Sequence, residues 1–297
     1  MTRRLLNLIV FSFICSCWIS PTIANENIWP AYEIPRSIVR TITSENLGRS
    51  YDLYIKLPPN FHDEENKARR YPVLYLNDGT YCFQTAAGIT HMPMNSGGFE
   101  HAILVGISYA EGEAGVASRS RDLTPTIPKN LNEGHGAKYE HGGAAEYLAF
   151  LRDEVVPFVE REYRGDASRK ILVGQSYGGL FGAYVLVTDP TAFTDYILTS
   201  ASLWHTESVM FDFEKKFASS NTKMPARVYF AIGEMETNPG RERNMVEDQT
   251  RFAATLRSRN YEGLEVRDVI IPSATHKTTF PIGLTKGLMW MLEGPNP

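Results

Sequence analysis

Cysteine is scarce in this chain: 3 of 297 residues, Cys15, Cys17 and Cys82, too few for a disulfide framework. Runs of basic residues are missing, and the formal net charge is −4. A mildly acidic chain of this kind is not built to hold nucleic acid or anionic lipid. No repeat of about 20–50 residues recurs, which excludes solenoids and propellers. Nor does any composition shift or low-complexity linker divide the sequence. The one long apolar stretch, residues 5–19, is short for a transmembrane helix.

What is present suits one large core. Apolar residues make up 43% of the chain, and residues 25–297 read as a single α/β domain. Ahead of it, Arg3 and Arg4 precede the apolar stretch, and Pro21 and Thr22-Ile23-Ala24 follow it. That is the pattern of a secretory signal peptide over residues 1–24, cleaved after Ala24, and it predicts a secreted, periplasmic protein. Ile14-Cys15-Ser16-Cys17 is a loose match to a lipoprotein processing site, and lipidation at Cys17 would add a membrane anchor. No other stable membrane association is expected. Cleavage after Ala24 leaves Cys82 alone, so no intramolecular disulfide can form. Beside Tyr81 and Phe83 it reads as a small buried hydrophobe rather than a nucleophile.

Residues 37–57 alternate polar and apolar side chains up to Pro58-Pro59 and predict an antiparallel pair at a sheet edge. Short apolar runs at 71–76, 102–107, 171–173, 196–198, 228–232 and 266–271 predict strands, and helical spacing covers 148–159, 245–259 and 283–292. Strands alternating with helices imply a mostly parallel central sheet with helices on both faces. Ligands then sit at the carboxyl ends of the strands.

One segment carries chemistry more specifically than any other. Ile171-Leu172-Val173-Gly174-Gln175-Ser176-Tyr177-Gly178-Gly179 runs a strand into a helix through a Gly-x-Ser-x-Gly turn. Glycines two residues either side of Ser176 give the backbone room for a tight turn, which lifts the hydroxyl clear of the sheet at a helix N-terminus. A serine hydroxyl needs a base, and His276 lies in a loop between the last strand and the closing helix. The base needs an acid between the two in chain order. Gly233-Glu234-Met235-Glu236 supplies it, with Glu236 the first choice and Glu234 the second. Backbone donors for an oxyanion are expected from Tyr177 and from Asp78-Gly79-Thr80, through the N–H of Thr80 or Gly79. His135 and His141 flank a glycine-rich loop, read as a loop over the site mouth. Their spacing matches no zinc pattern, and neither metal nor cofactor is expected.

With these residues assembled, the chain resembles the Putative esterase family of α/β hydrolases, which includes siderophore esterases. The resemblance runs through Tyr71-Pro72-Val73-Leu74-Tyr75-Leu76-Asn77-Asp78-Gly79, Arg119-Ser120-Arg121-Asp122-Leu123-Thr124-Pro125, the Ser176 elbow, Ser200-Ala201-Ser202-Leu203-Trp204, Gly233 to Glu236, and His276 with Phe280-Pro281. It implies the α/β-hydrolase fold, Ser176 as nucleophile and His276 as base. It leaves the acid open, because some members work with a Ser–His pair. It also implies that Arg119 or Arg121, with Trp204 nearby, meets an anionic or catecholate substrate, although an arginine in a polar loop is usually solvated. The expected activity is hydrolysis of a small-molecule carboxylic ester through an acyl-enzyme, on a ferric-siderophore lactone or on acetyl, feruloyl or other esters. An acyltransferase would use the same serine, and a non-catalytic binding protein could keep the same fold.

Overall fold

In the third strand, β3 (Tyr71–Leu76), every residue is buried. Successive side chains leave a strand on opposite faces: Val73 and Tyr75 enter one core, Leu74 and Leu76 the other. The fifth strand, β5 (Gly165–Gln175), divides in the same way, with Leu172 opposed to Ile171 and Val173. A strand apolar on both faces must be covered on both, so the sheet lies between two layers of helices.

These features come from a computed structural model, which describes residues 31–128, 138–237 and 244–295. The leader expected over residues 1–24, with Ala24, Cys15 and Cys17, and also His135, lie outside the described residues. Residues Ile34–Pro297 form one compact unit, which contains the whole sheet and the helices packed on it.

The other strands are β1 (Ser37–Thr43), β2 (Ser50–Lys56), β4 (Ile103–Ala110), β6 (Asp195–Thr199), β7 (Lys223–Gly233) and β8 (Glu262–Ile271), in the sheet order β1-β2-β4-β3-β5-β6-β7-β8. β1, β2 and β4 pair antiparallel, as the alternating N-terminal pattern requires, and the remaining pairings are parallel. Helices α1 (Gly79–Ser96) and α9 (Thr279–Met291) cover one face through Cys82, Ala86, Leu284 and Leu288. On the other face lie α3 (Ala144–Phe150), α4 (Val156–Glu162), α5 (Tyr177–Leu186), α7 (Met210–Ala218) and α8 (Met245–Ser258). Two short pieces, α2 (Gly115–Asp122) and α6 (His205–Ser208), sit beside the site.

Three features depart from the expectations of the sequence. The closing helix begins at Thr279, four residues before its expected start. Between α3 and α4 the helix widens into a π-turn over Leu151–Val155, just ahead of Pro157, which has no N–H to continue the α pattern. Arg119 and Arg121 stand on α2, not in a loop.

The chain leaves β3 through α1 towards β4 on one side, and leaves β5 through α5 towards β6 on the other. The neighbours β3 and β5 therefore mark a topological switch point. Helices diverge there and open a crevice at the carboxyl ends of the strands.

Candidate active site

Ser176 occupies that crevice. β5 ends at Gln175 and α5 starts at Tyr177, leaving the serine alone in the turn at φ 60° and ψ −114°, a strained conformation for a residue with a Cβ. The flanking glycines are there because the backbone approaches itself. A Cβ on Gly174 would lie 2.1 Å from the Gly178 carbonyl oxygen, and one on Gly179 would lie 2.9 Å from Ala201 Cα. Backbone hydrogen bonds fix the turn: Ser176 N–H donates to Thr199 O (3.0 Å), and Ser202 N–H donates to Ser176 O (3.1 Å).

Glu236 follows β7 in a short 3-10 turn (Glu234–Thr237) and is buried, whereas Glu234 is exposed. Its Oε2 lies 2.7 Å from His276 Nδ1. Its Oε1 accepts three more hydrogen bonds, from Ser200 Oγ (2.7 Å), Gly233 N–H (2.9 Å) and Thr279 Oγ1 (2.9 Å). Burial alone would raise this carboxyl's pKa. The bonds from His276, Ser200 and the Gly233 amide outweigh it and hold the group below its ordinary value. With an ionised carboxylate facing Nδ1, that nitrogen carries the proton and Nε2 is left as the basic one. Glu234 instead accepts the backbone N–H of Ser273 (2.8 Å), so the fold brings Glu236 to His276 and sets Glu234 to holding the loop. The imidazole side chain is 44% exposed, open to substrate. Ser176 Oγ lies 3.3 Å from Ser202 Oγ, and among the described residues no hydrogen bond joins it to His276. Such bonds are often long in hydrolases without substrate and close when one binds.

Asp78 also takes a left-handed conformation, φ 54°, directly before Gly79 and Thr80 open α1. The first-turn N–H groups of a helix point beyond its own hydrogen-bond ladder, and here two helix N-termini meet, α1 with Thr80 and α5 with Tyr177. They are held together closely. Asn77 N–H donates to Val173 O (3.0 Å), and a Cβ on Gly178 would lie 3.3 Å from both Asn77 Cβ and Asp78 Oδ2. Arg119 spans the pair. Its guanidinium grips the buried Asp78 carboxylate twice, at 2.9 and 3.1 Å, and lies 5.1 Å from the centre of the Tyr177 ring. Burial works against the charge on Arg119, but Asp78 more than offsets it and raises the pKa.

Arg121 is committed elsewhere, to Glu113 (2.6 Å) and Asp122 (2.8 Å). It lines a cleft of about 730 Å³ together with Arg49, Lys138, His141 and Glu146. Ser176 is not in that wall, but His141 is, and its ring meets Tyr177 edge-on at 6.4 Å. His141 also stacks on the buried His205 at 5.8 Å, and Trp204 lies 6.4 Å from Tyr177. Tyr177 is thus surrounded by Arg119, His141, Trp204 and His205. Among the described residues, no group of three His, Cys, Asp or Glu side chains could hold a metal ion.

The Putative esterase family matches residues 44–284, from just after β1 to within α9. The chain belongs to this family. The esterase is 29% identical over 275 residues to the ferri-bacillibactin esterase BesA of Bacillus subtilis, covering 90% of this chain and 93% of that one. Over 185 residues it is 31% identical to a siderophore enterobactin esterase of Emericella nidulans, covering 57% and 60% of the two chains. Among solved structures, siderophore hydrolase EstB of Aspergillus nidulans superposes with a TM-score of 0.74 at 25% identity, over 89% of this chain and 98% of that one. The protein is an ester hydrolase on an α/β-hydrolase scaffold.

Four residues of the esterase's site escape a reading of the sequence alone. Ser200 and Thr279, which hold Glu236, and Ser202, which meets Ser176, are small hydroxyl residues whose contacts no sequence pattern specifies. His205, packed on Tyr177, is the fourth. For Ser200, Ser202 and His205 the signal is their place in and after the Ser200-Ala201-Ser202-Leu203-Trp204 segment, directly behind Thr199, which pairs with Gln175 in the neighbouring strand, so that this segment must pass beside the elbow.

Proposed function

We propose that this esterase cleaves the ester or lactone bonds of a siderophore through an acyl-enzyme on Ser176, and that it does so outside the cytoplasm. The observation that carries the reaction is the 2.7 Å contact between His276 and the fourfold-bonded Glu236, beside a strained Ser176 at the switch point. In acylation, His276 Nε2 takes the Ser176 proton while Oγ bonds to the ester carbonyl carbon. The N–H groups of Tyr177 and of Thr80 or Gly79 receive the oxyanion. The C–O bond to the leaving alcohol breaks, and Nε2 returns the proton to that alcohol. Water then repeats the sequence and releases Ser176.

The substrate class is supported by the relatives, whose names specify siderophores. Export rests on Arg3, Arg4 and the apolar stretch before Ala24, and it predicts a mature chain beginning at Asn25 by mass spectrometry.

The decisive experiment follows hydrolysis of an iron-loaded cyclic catecholate trilactone by mass spectrometry, with p-nitrophenyl acetate in parallel and Ser176→Ala as blank. Opening of the lactone by the wild type, lost by about 10³-fold or more in the variant, is the expected result. Cleavage of the acetate alone would discard the siderophore, and undiminished turnover in Ser176→Ala would discard the mechanism.

A further inference from the structure

Ser202 lies on the segment that leaves β6 and is only 1% exposed. Its backbone N–H holds the Ser176 carbonyl at 3.1 Å, and its hydroxyl stands 3.3 Å from the Ser176 hydroxyl. Among the described residues, Ser202 Oγ has no other hydrogen-bond partner. Burial decides the direction of that bond. A buried hydroxyl must give its hydrogen to an acceptor or forfeit a hydrogen bond, and among the described residues Ser176 Oγ is the acceptor within hydrogen-bond distance. Ser176 is half-buried and can direct its own hydrogen towards His276. With Ser202 donating and Ser176 receiving, the nucleophile's proton stays free for the base.

Resting on the acyl-enzyme reading above, we infer that Ser202 is a further catalytic residue, one that donates a hydrogen bond to Ser176 Oγ whenever that oxygen carries developing negative charge. Charge develops there twice. In acylation Oγ loses its proton to His276 Nε2 as the Oγ–C bond forms. In deacylation, water bonds to the acyl carbon and gives one proton to Nε2. The C–Oγ bond then breaks with its electron pair going to Oγ, and Nε2 returns that proton to Oγ. Ser202 keeps its own proton throughout and acts as a fixed dipole aimed at the leaving oxygen. Its contribution is largest when Oγ is the leaving group, because in acylation the same hydrogen bond also draws electron density from the attacking lone pair.

Ser202→Ala removes the donor and tests the idea. With p-nitrophenyl acetate, whose activated leaving group makes deacylation rate-limiting, the burst of p-nitrophenol stays near one equivalent while steady-state turnover falls about 10-fold or more. Intact-protein mass spectrometry then finds acetyl-enzyme accumulating. Stoichiometric labelling of the variant by a fluorophosphonate, with an unchanged Tm, shows that the site is intact. Turnover within twofold of wild type, or a fall without accumulated acetyl-enzyme, overturns the inference. Ser202→Cys, nearly isosteric and a weaker donor, decides the matter if the alanine variant does not fold: an intermediate turnover with accumulated acetyl-enzyme supports the inference, and wild-type turnover overturns it. Ser176→Ala in the same assay separates the two readings. Turnover surviving in Ser176→Ala removes the acyl-enzyme itself, whereas a dead Ser176→Ala beside a fully active Ser202→Ala removes only the role of Ser202.

Discussion

Glu236 spends one carboxylate oxygen on His276 and the other on three donors, so its orientation is fixed before substrate arrives. Replacing it by Gln keeps the shape and loses the charge that fixes the imidazole tautomer. Glu236→Gln is expected to lower kcat by about 10²–10⁴-fold, with Glu234→Ala within about threefold of wild type, both from steady-state rates. The same carboxyl ties stability to pH. Its pKa is lower in the folded chain than in the unfolded one, so its contribution is fully present above about pH 4.5 and disappears as the pH falls through the folded value. Urea titrations should find wild type more stable than Glu236→Gln at pH 7, with the gap closing below about pH 4. Parallel denaturation curves that stay equally far apart at pH 3 would contradict this account.

At the scale of elements, the elbow tolerates no bulk where two backbones meet but some where only a side chain stands in the way. A methyl on Gly174 meets the Gly178 carbonyl, which cannot move without unwinding α5, whereas a methyl on Gly182 first meets the Leu198 side chain, with Cδ2 at 2.3 Å. Gly174→Ala is therefore expected to abolish fluorophosphonate labelling of Ser176. Gly182→Ala costs about 1–3 kcal/mol in a denaturation experiment and keeps the label. β2 contains a different tension. Lys56 is 1% exposed, and burial, with Arg36 adding to it, lowers its pKa to about 8. Above that value the unfolded chain binds more protons than the folded one, so stability rises with pH towards about pH 10. Lys56→Met should raise Tm at pH 7, by a margin that shrinks from pH 8 upwards. The contrast among elements also explains what could be read in advance. The strands that flank the switch point are continuous apolar runs, and the elbow and His276 are set by local motif, so both stand out in the sequence. α1 does not. Gly88 and Pro93 interrupt it, and the stripe it buries is made of Cys82, Ala86, Ala87 and Thr90 as much as of Phe83 and Met94, which leaves little periodic signal. α2 hides for another reason: the residues it buries are Ser118, Ser120 and Asp122, and Asp122 accepts a hydrogen bond from Tyr51 of β2 while Ser118 accepts the Ala110 N–H at the end of β4, partners that arrive only in the folded sheet. Ser200, Ser202 and Thr279 likewise gain their roles from strands that meet only in the folded sheet.

Across the whole molecule, the two cores share one sheet and should open together. Cys82, fully buried between α1 and the sheet, reports on that opening. Burial first, and then the nearby Asp78 carboxylate, push its thiol well above the ordinary range, so little thiolate exists near neutral pH. Its reaction with a disulfide reagent is expected to be slow in native buffer and to accelerate with urea along the same midpoint as far-UV circular dichroism. Fast modification without denaturant would instead mean that α1 opens by itself. The spread of the proposed catalytic groups along the chain has one more consequence, for the order in which a ribosome makes them. Ser176 and its elbow emerge in mid-synthesis. Glu236 arrives with β7, His276 only after β8, and Thr279, which steadies the acid, with α9. On the mechanism proposed above, the nascent chain therefore presents a serine without its base until the last strand and helix dock, and it stays chemically silent towards esters until it has finished folding.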